Sequence, residues 1–154
     1  MAAVTVTVDG SGGISITAPT SSTALTMGSP NGTLDNTATA ALTETKVTDL
    51  RAGTTPWIAT VSLPVLTGTG VTTGATITTS DATYVADTTI PVGTAEMATI
   101  SQKTGLDAAT PQTSQATSSV QGNNSAAWTA TLTVMVPSET LIDTYTGTLT
   151  QSVS

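Results

Sequence analysis

Trp128 to Val136 reads Trp-Thr-Ala-Thr-Leu-Thr-Val-Met-Val, and its period of two restricts the fold of the whole chain more than any other feature. Trp128, Ala130, Leu132, Val134 and Val136 fall on one side of an extended backbone, while Thr129, Thr131, Thr133 and Met135 fall on the other. The register returns beyond Pro137, where Tyr145, Gly147, Leu149, Gln151 and Val153 alternate with Thr146, Thr148, Thr150 and Ser152. A strand with one apolar face and one hydroxyl face has to cover the apolar side with another layer, so these strands imply a facing sheet.

The same alternation recurs upstream. Val4, Val6 and Val8 alternate with Thr5 and Thr7, and after Asp9-Gly10-Ser11-Gly12-Gly13 the pattern resumes at Ile14 and Ile16, which predicts a hairpin with a longer loop. Asn31-Gly32 predicts a turn inside a Pro, Gly and Ser-rich connection. Thr33 to Arg51 has helical ambiguity at Ala38 to Lys46, where Leu42, Val47 and Leu50 could share a helix face. Its repeated Thr and the lack of a capping pattern favour a strand. A turn at Ala52-Gly53 and Pro56 leads into Trp57, Ala59, Val61 and Leu63, all facing one way. Shorter candidates follow at "ATITT" and "ATYVAD", with weak ones at "EMATIS" and "SQATSSV".

About eight or more short strands with no helical span predict an all-β, immunoglobulin-like β-sandwich, a single domain over residues 1–154. Thr makes up about a quarter of the chain, and its branched Cβ favours extended backbone. An outer-membrane barrel would need an apolar exterior and aromatic girdles, for which two Trp, two Tyr and no Phe do not suffice. No apolar run reaches spanning length, so no membrane insertion is expected.

Only 8% of residues are charged, with a net charge of −7, so hydroxyl groups carry most of the hydration. Two Lys and one Arg offer no electrostatic footprint for nucleic acid. The absence of Cys and His removes thiol and imidazole catalysis, Cys/His metal sites and disulfides. Ten acidic residues are scattered through turns and strand ends, without the facing pair that glycoside hydrolysis needs or the regular spacing of a calcium loop. The expectation is a protein that is not an enzyme and uses no cofactor and no metal.

Trp57 and Trp128 are candidates for glycan binding, because an indole face packs on a sugar ring. Each also falls in register with aliphatic neighbours, which favours a place in the core. Tyr145, at the start of a strand, suits a buried ring whose hydroxyl bonds to backbone and pins a loop. Asn31-Gly32-Thr33 fits a glycosylation sequon, and Lys46 and Lys103 are candidates for an isopeptide cross-link. Threonine arrays can match ice when a flat motif repeats at fixed period; no such period is detectable, and solvation is the simpler account. The N-terminal segment, with Val4, Val6 and Val8, is short, alternating and at a chain end, which suits a strand donated to another copy.

Four pieces in order, "VTVTVDGSGGISIT", "KVTDLRAGTTPWIATVS", "GNNSAAWTATLTVMVPSETLIDTYTGTLT" and "QSVS", resemble the secreted WxL-like surface proteins of actinobacteria and other Gram-positive bacteria. The resemblance implies an exported all-β domain at the cell surface, its signal peptide removed, that associates non-covalently with peptidoglycan. Where the family motif reads Trp-x-Leu, this chain has Trp57-Ile58-Ala59, and Gln151 stands where a second Trp is expected. The leading expectation is thus a non-enzymatic structural protein of a Gram-positive envelope. The alternatives are a filament subunit that self-associates through its N-terminal strand, and a cell-wall glycan-binding module.

Overall fold

The alternating segments become strands: β1 (Ala2–Gly10), β2 (Ile14–Thr17), β3 (Thr23–Met27), β4 (Asn36–Asp49), β5 (Ile58–Ser62), β6 (Val65–Gly68), β7 (Thr76–Thr78), β8 (Thr83–Ala86), β9 (Ile90–Val92), β10 (Glu96–Met97), β11 (Gln112–Ser119), β12 (Asn124–Val136) and β13 (Tyr145–Val153). The computed structural model describes residues 2–10, 13–19, 23–27, 36–98, 100, 102–141 and 143–154, and no helix occurs among them. The turn at Asn31-Gly32 and the sequon ending at Thr33 lie outside the described residues.

Two sheets face each other as a β-sandwich. The first runs β10-β11-β5-β13-β1. β6 continues the line of β5 along the start of β13, and β7 pairs with β6. In the second sheet β12 is central, with β4 along one side and β8 and β9 end to end along the other. β2 and β3 pair with the two ends of β4. β3 also pairs with β1 through Thr23, Ala24 and Leu25, so one strand belongs to both sheets.

β12 shows why the alternation specifies this arrangement. Every even-numbered residue from Asn124 to Val136 is buried and no odd-numbered one is. Leu132 and Val134 are fully enclosed, each worth about 1.5–3 kcal/mol of apolar burial. β4 resolves the helical ambiguity by a different device. Trp128 stands opposite Thr45 and Ala130 opposite Leu42, so β4 carries an extra residue at that point. The bulge lets Leu42, Thr45 and Val47 all face inward, although their spacing breaks a strict period of two. Leu50, beyond the strand, is 62% exposed.

The N-terminal hairpin does not form. β1 runs parallel to β13, from Ala2 opposite Tyr145 to Gly10 opposite Val153, whereas β2 pairs with β4 in the facing sheet. A hairpin would set the two apolar rows side by side in one sheet; opposite sheets let Val4, Ile14 and Ile16 bury against one shared core. Ala52, and not Gly53, takes the left-handed conformation, at φ 55°.

Pro64 separates β5 from β6, as expected of a residue with no N–H to give a ladder. The buried Thr79 hydroxyl donates to the carbonyl oxygens of Leu63 and Pro64 and holds the break in place.

Candidate functional site

Polar side chains gather in three places: a seam between the sheets, a loop clamp at one end, and the two outer faces. The seam begins with both tryptophans. Trp57, just before β5, is fully buried, and Trp128 on β12 is 2% exposed, so neither offers a ring face to a sugar. Trp57 Nε1–H donates to Asn124 Oδ1 at 3.0 Å, and Trp128 Nε1–H donates to the Tyr84 hydroxyl at 3.0 Å.

From Tyr84 the chain of bonds crosses the core. Its hydroxyl reaches Gln151 Oε1 at 3.5 Å, and Gln151 Nε2–H donates to Thr45 Oγ1 at 3.3 Å. β8, β12 and β4 of the second sheet are thereby tied to β13 of the first through an amide that is completely enclosed. Burial pushes the Tyr84 hydroxyl up to about 12, which keeps it neutral and able to donate at any ordinary pH.

A second cluster lies around Asn124. Its Nδ2–H groups donate to the Gly122 carbonyl at 3.1 Å and to Asp49 Oδ2 at 3.4 Å. Arg51 closes the other side of Asp49, its Nε 2.9 Å from Oδ1 and its Nη2 3.1 Å from Oδ2. The Arg51 hydrogen bonds hold the Asp49 carboxyl below the usual carboxylate range, against the opposing effect of burial. Among the described residues no buried side-chain nitrogen or oxygen is left without a partner.

Sequence reasoning named neither Gln151 nor Asn124 as a structural contact. The signal was present for Gln151, a polar residue in the inward register of Tyr145, Leu149 and Val153. Nothing comparable marked Thr45, whose inward direction depends on the bulge.

The loop clamp is built on Asp143. Its carboxylate accepts N–H bonds from Thr72 at 2.8 Å, Gly70 at 3.1 Å and Thr144 at 2.7 Å, together with the Thr72 hydroxyl. Tyr145 completes the corner by donating its hydroxyl to the Leu141 carbonyl at 3.2 Å. Gly70 leaves the room the carboxylate needs, since a Cβ there would sit 2.2 Å from Asp143 Oδ1. The hydroxyl and N–H donors from Thr72 lead in drawing the Asp143 carboxyl down to about 2.

A depressed folded pKa stabilises the fold where the carboxylate is charged in both states and is lost as pH falls toward the folded value. The melting-temperature gap between the native chain and Asp143→Asn is therefore expected to hold steady above about pH 5 and to close as pH approaches 2. A gap that persists unchanged at pH 2 would refute the clamp. Two other acids bond elsewhere: Asp87 accepts from the Thr129 hydroxyl at 2.6 Å and Glu96 from the Ser119 hydroxyl at 3.0 Å. No group of three or more His, Cys, Asp or Glu that could hold a metal occurs among the described residues.

The outer faces carry hydroxyls in cross-strand rows. On the first sheet Thr113, Thr60 and Ser152 stand opposite one another, with the last two hydroxyls 2.8 Å apart. Thr76, Thr67 and Thr146 form another row. On the second sheet Thr83, Thr133 and Thr39 line up across three strands. An open depression of about 420 Å³ lies between β6 and β13, lined mainly by Thr67, Thr146, Thr148 and Thr150 with Pro64 and Val65. Lys46 is exposed on β4, and Lys103 is half-buried in a bridge to the Tyr84 backbone.

Of the strand-donor candidates, Val4 is fully buried in this chain's own core. Val6 and Val8 stand in register with Leu149 and Gln151 on β13. No helix among the described residues is long and apolar enough to cross a membrane. Comparison with protein-family models, with curated proteins and with solved structures finds no match to this chain.

Proposed function

We propose that this chain is a non-enzymatic structural domain, displayed outside the cell on or near the envelope of a Gram-positive bacterium. The observation that carries this reading is the division of its side-chain chemistry. Indole, phenol and amide groups turn inward and bond the two sheets together, while hydroxyl rows such as Thr113–Thr60–Ser152 and Thr83–Thr133–Thr39 lie on the outer faces, beside the exposed Val85, Ile90 and Val92. Hydroxyl rows of this kind are hydrated without depending on charge.

Two further features agree. Three basic residues in the whole chain leave few sites for proteases that cut after Lys or Arg, and Arg51 is held in an ion pair. The resemblance to WxL-like surface proteins implies the same location. In this chain the Trp of Trp57-Ile58-Ala59 is spent on the core, so attachment to a wall polymer would fall to the hydroxyl faces and their depressions.

Immunogold labelling of intact cells of the producing organism, with an antibody to the folded domain, tests the proposal. Label at the cell surface, and recovery of the chain from the envelope fraction, are expected. Recovery from the cytosolic fraction alone would overturn it.

A further inference from the structure

We propose that Thr45 and Gln151 join covalently, the threonine hydroxyl displacing the amide nitrogen of the glutamine to leave a side-chain ester between the two sheets. The site is the enclosed polar seam. Thr45 on β4 is 1% exposed and Gln151 on β13 is fully buried, and Thr45 Oγ1 lies 3.3 Å from Gln151 Nε2. A nucleophile and an acyl group are thus held in contact, away from solvent.

Two features of the fold assemble this pair. The bulge in β4 turns Thr45 inward, where unbroken alternation with the buried Leu42 would face it out. Lys46 beside it, the cross-link candidate of the sequence, is exposed instead. The second feature is the Tyr84 hydroxyl, 3.5 Å from Gln151 Oε1. The Trp128 indole N–H donates to that hydroxyl at 3.0 Å and takes up its accepting side, so the phenol proton is left to point at Oε1. Burial keeps Tyr84 protonated, with its pKa pushed up to about 12.

The step balances without a co-reactant. Thr45 Oγ1 bonds to Gln151 Cδ as the carbonyl electron pair moves onto Oε1, where the Tyr84 hydroxyl stabilises the oxyanion. The threonine proton passes to Nε2, which becomes a basic amine in the tetrahedral adduct. The carbonyl then re-forms, the C–N bond breaks and ammonia leaves; nothing is oxidised or reduced. Gln151 reaches the geometry of attack by turning about its last side-chain torsion, which is soft. Well-oriented groups in one molecule gain an effective concentration of about 10⁵ M or more. Without a separate base the reaction is slow, but it has to occur only once in each chain, and the enclosed ester is shielded from hydrolysis. The bond ties β4 to β13 across 106 positions of a chain that has no cysteine for a disulfide. The inference does not depend on where the domain is displayed.

Intact-mass spectrometry of the native chain, folded, aged and then denatured, tests this. A mass below that of the sequence by one ammonia is expected. Trypsin, which cuts after Lys46, Arg51 and Lys103, should release fragments 1–46 and 104–154 as one joined species, and hydroxylamine, which cleaves esters, should separate them. A chain of full sequence mass, with the two fragments apart, would overturn the proposal. Ammonia loss with the fragments apart is the mark of a cyclised asparagine and overturns it equally.

Thr45→Val keeps the shape of the side chain and removes the nucleophile, so the joined species must disappear, whereas Thr45→Ser is expected to keep it. A joined species that survives Thr45→Val would place the bond elsewhere and refute the assignment. Tyr84→Phe removes the donor to Oε1 and is expected to slow formation by about 100-fold or more. Unchanged formation in that variant would refute the role given to Tyr84.

Discussion

Trp128→Ala is expected to destabilise the fold by about 3–5 kcal/mol, the usual cost of emptying a buried aromatic site. The ring is 2% exposed and lies on β12 among Ala126, Ala130 and Leu132, all facing the same core. Its loss leaves more than a cavity. The indole N–H is the donor to the Tyr84 hydroxyl, and Tyr84 in turn links to Gln151, so truncation weakens the bonds that tie the sheets. Trp128→Phe separates these contributions, since it keeps most of the packing and removes the donor, at about 1–2 kcal/mol. Urea unfolding followed by circular dichroism measures both. A cost under about 1 kcal/mol for Trp128→Ala would mean that the ring is not in the core.

Gly147→Val is expected to be the other severe substitution. Gly147 lies in β13 between the buried Tyr145 and Leu149, and a Cβ added there would come within 2.7 Å of the Val65 carbonyl oxygen and 2.5 Å of Leu66 Cδ2. The leucine end can swing aside. The carbonyl cannot, because it belongs to β6, which pairs with β13 beside it. Overpacking of this kind costs about 1–3 kcal/mol for a small addition, so Gly147→Ala is placed in that range and Gly147→Val above it. An alanine variant that melts with the native chain would show that β6 does not press on this position.

Both substitutions test positions that the period of two had already placed on the inward side. Trp128 carries its reason with it, as a large apolar ring in an apolar row. Gly147 does not; its missing side chain matters only because β6 passes close by, and nothing near residue 147 in the chain announces Val65. The buried amide of Gln151 is of the same kind. Its inward direction was legible from Leu149 and Val153, but its partners Tyr84 and Thr45 come from strands far away in sequence. The Asp143 clamp likewise needs Gly70 and Thr72, which a reading of the Tyr145 corner alone would not supply.

What the sequence determined by itself is the facing of the strictly alternating strands. Side-chain direction follows from backbone geometry within a few residues, so local order was enough to orient β5, β12 and β13. It also removed imidazole and thiol chemistry, because the chain has no His and no Cys. Only the tertiary structure decided which strands are neighbours. β1 lies beside β13 and not β2, and β4 absorbs a bulge so that Leu42 and Val47 share one side. Pairing reflects the burial achieved by the whole sandwich at once, and a local pattern of apolar and hydroxyl residues is equally satisfied by many partners with the same period.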